Sequence, residues 1–193
     1  MNKAAIISIL LLMLGVSCAR AAELIGIKTD TGFLLLNQDP GNYFSIEIQA
    51  SEMPALGHFI VGKNQLQITS TLVSDFLDDP TAVNDARDVL EKHAESEKAY
   101  IEKNVVHAPL ALKSHYDNGS LYWTAKGSKF EFRVCTTLHN QTVTMLSAII
   151  LDPASPEAVS IMQQNAWATL NFRDAPWSVS EIQALSNRYR SKH

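Results

Sequence analysis

Cysteine is scarce in this chain: its 193 residues contain two, Cys18 and Cys135. Cys18 falls in an N-terminal leader, so no internal disulfide framework is expected and stability has to come from a hydrophobic core. Positive charge is also short, with 16 Lys and Arg against 20 Asp and Glu. Once the leader takes away Lys3 and Arg20 and no acid, 14 basic face 20 acidic side chains, a formal charge of −6. A binder of phosphate backbones carries the opposite sign or a concentrated basic patch, so nucleic acid is excluded as a partner. Catalytic spacings are missing as well. There is no His-x-x-x-His, Cys-x-x-Cys, His-Glu-x-x-His or Gly-x-Ser-x-Gly, and Gly57 and Gly62 precede neither Lys-Ser/Thr nor a helix start. Repeats and low-complexity tracts are absent too.

What the N-terminus does have is an address. Lys3 is followed by a run without ionisable side chains from Ala4 to Val16, then by the small-residue string 17–22. The run is shorter than the roughly 20 residues a bilayer-spanning helix needs, and Ala19-Arg20-Ala21 meets the small-x-small rule. Residues 1–21 are therefore expected to be a signal peptide cut after Ala21, leaving 22–193 as one domain in the periplasm or secreted. A competing reading takes Leu14-Gly15-Val16-Ser17-Cys18 as a lipobox, which would lipidate Cys18 and anchor the protein to the outer membrane, although Gly15 stands where such a motif usually has Leu.

From Leu24 to Val73 the signals are those of strands. Phe44, Ile46 and Ile48 alternate with Ser45, Glu47 and Gln49 after a segment, 37–42, dense in turn formers; His58 to Val61 and Leu66 to Val73 follow. Asp78-Asp79-Pro80 predicts a helix start with Asp79 as cap, and Val83, Ala86, Leu90, Ala94 and Ile101 form its stripe as far as about Lys103. Strands return from Leu110. Asn118-Gly119 predicts a tight hairpin, and Phe130 to His139 and Thr142 to Leu151 continue an antiparallel meander. Ser155-Pro156-Glu157 opens a second helix with Val159, Met162, Ala166, Trp167 and Leu170 on one face. Ser178 with Glu181 forms a capping box for a C-terminal helix, 178–192, with Val179, Ile182, Leu185 and Tyr189 inward. Strands, helix, strands, helices in that order predict an α+β fold: a largely antiparallel sheet with helices packed on its faces.

That order resembles the superfamily joining the photosystem extrinsic protein PsbP, the bacterial envelope protein DcrB and a nuclear Ran-binding protein. The match rests on the hairpin around Tyr43 to Gln49, the strand ending Thr71-Leu72-Val73 before a long helix, the Tyr122 to Leu151 meander, and a closing helix ending Leu170-Asn171-Phe172. The resemblance implies a non-enzymatic protein without a cofactor. Such proteins dock onto larger assemblies, act as chaperones or bind partner proteins; an immunity-type role belongs to the same class. The implied partner is another envelope or secreted protein.

Two residue sets are candidates for a site. Trp123, Phe172, Arg173 and Trp177 have the composition of protein-binding hot spots, with Trp177, in a Pro-containing loop, the most accessible expectation. The alternative, a small-ligand or metal-binding periplasmic protein, uses His107, His115 and His139, which could converge if the meander strands are neighbours. Asp117 is explained as the turn residue before Asn118-Gly119. Cys135 and His139 share a strand face but lie roughly 13 Å apart at 3.3 Å per residue, too far for proton transfer, so no catalytic residue is assigned and Cys135 is expected to be a buried small hydrophobe.

Overall fold

Alternation and turn chemistry build ten strands in the computed structural model, which describes residues 23–78, 85–127, 130–152 and 156–190. The leader, its cleavage site at Ala21 and the lipidation alternative at Cys18 lie outside these residues. So do the Asp79 cap, Pro80 and Val83. Among the described residues no helix is long and apolar enough to cross a membrane.

Strands β1 (Leu24–Lys28), β2 (Phe33–Asn37), β3 (Tyr43–Ile48) and β10 (Asn171–Arg173) form an antiparallel sheet in the order β1-β2-β3-β10. A second, six-stranded antiparallel sheet contains β4 (His58–Val61), β5 (Asn64–Leu72), β6 (Ala111–Asp117), β7 (Ser120–Lys126), β8 (Glu131–His139) and β9 (Thr142–Ile150). Its order is β4-β5-β9-β8-β7-β6, which leaves β6 at one edge. The expected α+β fold is present, with its strands divided between two sheets. Every residue of β9 is buried, so this strand is covered on both faces.

One face of the six-stranded sheet, carrying Leu121, Trp123, Ala125, Phe132, Val134, Val143, Met145 and Ile149, packs under α1 (Ala86–Ile101) through Val89, Leu90, Ala94 and Ile101. Its other face, carrying Phe59, Leu66, Ile68, Leu146, Ala148 and Ile150, meets Leu35, Phe44, Ile46 and Ile48 of the four-stranded sheet, with α2 (Glu157–Ala168) alongside through Val159 and Ala166. On the far side of the smaller sheet, α3 (Val179–Arg190) lays Ile182, Leu185 and Tyr189 on Ile27, Leu34 and Leu36. Between the sheets, Asn42 Nδ2 donates to Ser70 Oγ at 3.2 Å and to Thr144 Oγ1 at 3.3 Å, and Asn37 Nδ2 donates to the Asn42 carbonyl at 2.6 Å. This polar stitch sets the register of one sheet on the other.

Three expectations change. The described part of α1 is capped by Asp85, whose side chain accepts the Asp88 N–H at 2.9 Å; the helix ends at Ile101, and a π-helical turn, Glu102–Val106, follows in place of α-helix to Lys103. The closing helix stops at Ala168 rather than at Phe172. Thr169 Oγ1 accepts the Glu47 N–H at 2.8 Å, and Asn171–Arg173 then runs as β10 beside β3. Val179, expected inward, is 85% exposed because it opens α3 beyond the edge of the apolar contact. The capping box itself is present, with the Glu181 N–H donating to Ser178 Oγ at 3.2 Å and the Ser178 N–H to Glu181 Oε2 at 2.7 Å.

Candidate functional site

The hairpin turn Asn118-Gly119 sets the geometry of the β6 edge. Asn118 (φ 47°) and Gly119 (φ 78°) are both left-handed, which closes a two-residue turn on the pair Asp117–Ser120. Hydrogen-bonded pairs then alternate, so His115 exchanges bonds with Tyr122 and Lys113 with Thr124. By the same alternation, the N–H and C=O groups of Leu112, Ser114 and Tyr116 point away from β7. Five of the seven β6 residues are exposed, and the strand has no Pro.

The side chains on that strand divide by face. Leu112 and Tyr116 turn toward the core under α1. Lys113 and His115 turn the other way and continue two rows across the sheet: His115, Tyr122 and Cys135 in one, Lys113, Thr124 and Arg133 in the next. These rows floor a groove of about 660 Å³, and α2 walls it with Gln163, Gln164 and Trp167. Helix and sheet are locked together at this wall. The Gln163 carboxamide is buried and donates to the carbonyls of Arg133 and Leu146, both at 2.7 Å, while Arg133 donates to Ser160 Oγ at 2.8 Å and to Glu131 Oε1 at 2.6 Å. The Arg133 hydrogen bond holds the Glu131 carboxyl below its ordinary range. Burial pushes the Cys135 thiol up to about 12, so at neutral pH the groove has a protonated sulfur rather than a thiolate nucleophile.

The three candidate histidines are not brought together. His115 lines the groove. His107, left-handed at φ 53°, follows the π turn and precedes the Ala111 end of β6, which is level with Lys126 and so with Glu131. His139 closes the far end of β8, and the strand between Glu131 and His139 spans roughly 26 Å at about 3.3 Å per residue. The strands are neighbours as expected, but His107 lies near the Glu131 end, His115 is level with Cys135, and His139 is at the far end. Among the described residues no three His, Cys, Asp or Glu gather in a way that could hold a metal ion.

Of this set, Arg173 and Trp177 meet, whereas Phe172 and Trp123 each pack in a separate cluster. Phe172 on β10 sits edge-on to Phe44 with ring centroids 5.9 Å apart, and His139 stacks on it at 4.4 Å. Arg173 lies 4.0 Å over the Trp177 ring and donates to Glu181 at 3.1 Å. Trp177 itself is clasped to the smaller sheet. Its N–H donates to Gln38 Oε1 at 3.0 Å, its carbonyl accepts from Gln38 Nε2 at 2.9 Å, and its indole N–H donates to the Phe44 carbonyl at 3.3 Å. Trp123 is 2% exposed beneath α1, on the other face of the larger sheet. The edge of β6 and the groove were not singled out from sequence; the signal that could have found them is Lys113-x-His115 in a strand whose hairpin partner lies on one side alone.

No family model matches the sequence, and no curated protein matches it. Among solved structures, the chain is similar to cyanobacterial PsbP (CyanoP) from Synechocystis sp. PCC 6803, with TM-score 0.39 and 11% identity over 80% of this chain and 95% of that one. It is also similar to the extracellular domain of PknH from Mycobacterium tuberculosis, with TM-score 0.28 and 11% identity over 87% of this chain and 92% of that one. Likenesses of this size transfer no site, so the β6 edge and its groove stand on their own geometry.

Proposed function

We propose that this is an exported docking protein of the bacterial envelope, and that it takes an extended segment of another envelope protein as a seventh strand on β6. The observation that carries this reading is the free backbone edge at Leu112, Ser114 and Tyr116. An edge of unpaired N–H and C=O groups templates strand addition, and a strand added there gains main-chain hydrogen bonds without requiring a particular sequence. Lys113 and His115 flank those groups on the groove side and supply selection by side chain.

The Ser114 N–H is one of the free donors, so Ser114→Pro removes it without breaking a bond to β7. Envelope protein captured on the mature domain is identified, purified and titrated against wild type and Ser114→Pro. Saturable binding that weakens at least tenfold in a variant with an unchanged melting temperature supports strand addition. Equal binding by the two, or no saturable partner at micromolar concentration, sinks it.

A further inference from the structure

We propose that the groove between β6–β8 and α2 is a binding site for a small organic anion, its flat apolar body seated against Trp167 and Tyr122 and its carboxylate on the Lys113 ammonium. This inference does not depend on strand addition. A volume of about 660 Å³ lies within the roughly 300–1,000 Å³ that small-molecule sites occupy. Trp167 is half-buried, one side packed into the inter-sheet core and the rest turned into the groove, and Tyr122 lies on the floor. Aromatic walls of this kind bury a planar body at little conformational cost.

Charge complementarity gives the sign of the ligand. Lys113, His115 and Arg133 line the groove and no Asp or Glu does, in a chain whose overall balance is acidic. Their roles differ. Arg133 is already engaged by Glu131 and Ser160, so it shapes the rim, whereas Lys113 has no hydrogen-bond or ion-pair partner among the described residues. One uncompensated ammonium beside an apolar wall selects one carboxylate on an apolar body. Gln163, tied to two strand carbonyls, keeps the wall from collapsing onto the floor.

The test uses 2-naphthoate and its uncharged counterpart 2-naphthalenemethanol, read by tryptophan fluorescence and calorimetry on the mature protein. Saturable binding of 2-naphthoate is expected, weakened about tenfold by Lys113→Gln and restored by Lys113→Arg, with the alcohol weaker and indifferent to both changes. Trp167→Phe should remove most of the fluorescence change while calorimetry still registers binding, because the Trp123 side chain packs under α1 although its strand position borders the groove, and Trp177 lies in another cluster. Absence of saturable binding by 2-naphthoate, an unchanged affinity in Lys113→Gln, or a fluorescence response undiminished in Trp167→Phe would overturn the assignment.

Discussion

Beneath α1, His93 and Glu97 face an apolar sheet, and their protonation makes a prediction sharp enough to work through. His93 is 1% exposed, neither ring nitrogen has a hydrogen-bond partner, and Phe76 lies edge-on at 5.0 Å. Glu97 Oε1 is 3.8 Å from His93 Nε2, too long for a hydrogen bond. By strand alternation the face of β6–β9 under α1 presents Leu112, Ser114, Tyr116, Leu121, Trp123, Ala125, Phe132, Val134, Thr136, Leu138, Val143, Met145, Ser147 and Ile149, none of them charged at neutral pH. Burial therefore favours the neutral form of both groups: it lowers His93 from 6.5 to about 4 and raises Glu97 from 4.5 to about 7. Between pH 4.5 and 6.5 the unfolded chain holds the proton on histidine and the folded chain holds it on glutamate. The number bound is the same, and the pair contributes no pH dependence there.

Glu97→Gln unmasks His93 alone. A depressed histidine contributes stability that is complete above pH 6.5 and lost as pH falls toward 4, a swing of about 3 kcal/mol. His93→Leu unmasks Glu97 alone. A raised carboxyl contributes stability that is complete below pH 4.5 and lost as pH rises to 7, a swing of similar size and opposite sign. Urea unfolding of wild type and both variants at half-unit steps from pH 4 to 7.5 measures the differences directly, since every other carboxylate cancels. A Glu97→Gln difference that stays constant across the range refutes a neutral pair. A difference of reversed slope would mean that the folded protein buries imidazolium against carboxylate.

Four other substitutions test the packing. Gly32→Ala places a Cβ 2.0 Å from the Ile48 carbonyl oxygen and 2.7 Å from the Ala50 nitrogen, so backbone must shift at a cost of about 3 kcal/mol by chemical denaturation; Gly62→Ala, at φ +64° with open space around it, should cost about 1 kcal/mol. Trp177→Ala removes the clasp on Gln38 and Phe44, and should raise hydrogen exchange throughout α3 while leaving β7–β9 protected. Gln163→Ala deprives two strand carbonyls of a donor and should lower stability by about 2 kcal/mol in thermal or urea unfolding.

Local chemistry was legible in the chain. Two-residue turns with left-handed backbone stand at Asn118-Gly119 and Asn140-Gln141, the Ser178–Glu181 box caps α3, and the alternation in Tyr43–Ile48 and Glu131–His139 assigns side chains to faces. Each of these depends on neighbours within a few residues, which is the range over which hydrogen bonds and side-chain period act. Which face meets which element was decided at longer range. Periodicity placed Val179 on the inner stripe of α3, yet the helix begins past the surface that would have covered it. It treated Trp177 as open, yet the folded chain brings Gln38 and Phe44 to it. Neighbouring strands suggested that His107, His115 and His139 converge, and the register put them at different levels of the sheet. The division of the strands into two sheets, the groove on which α2 closes and the free edge of β6 arise from contacts between residues far apart in the chain. A pattern of alternating side chains states that a face is to be covered; only tertiary packing decides by what, because burial rewards any apolar partner of the right shape.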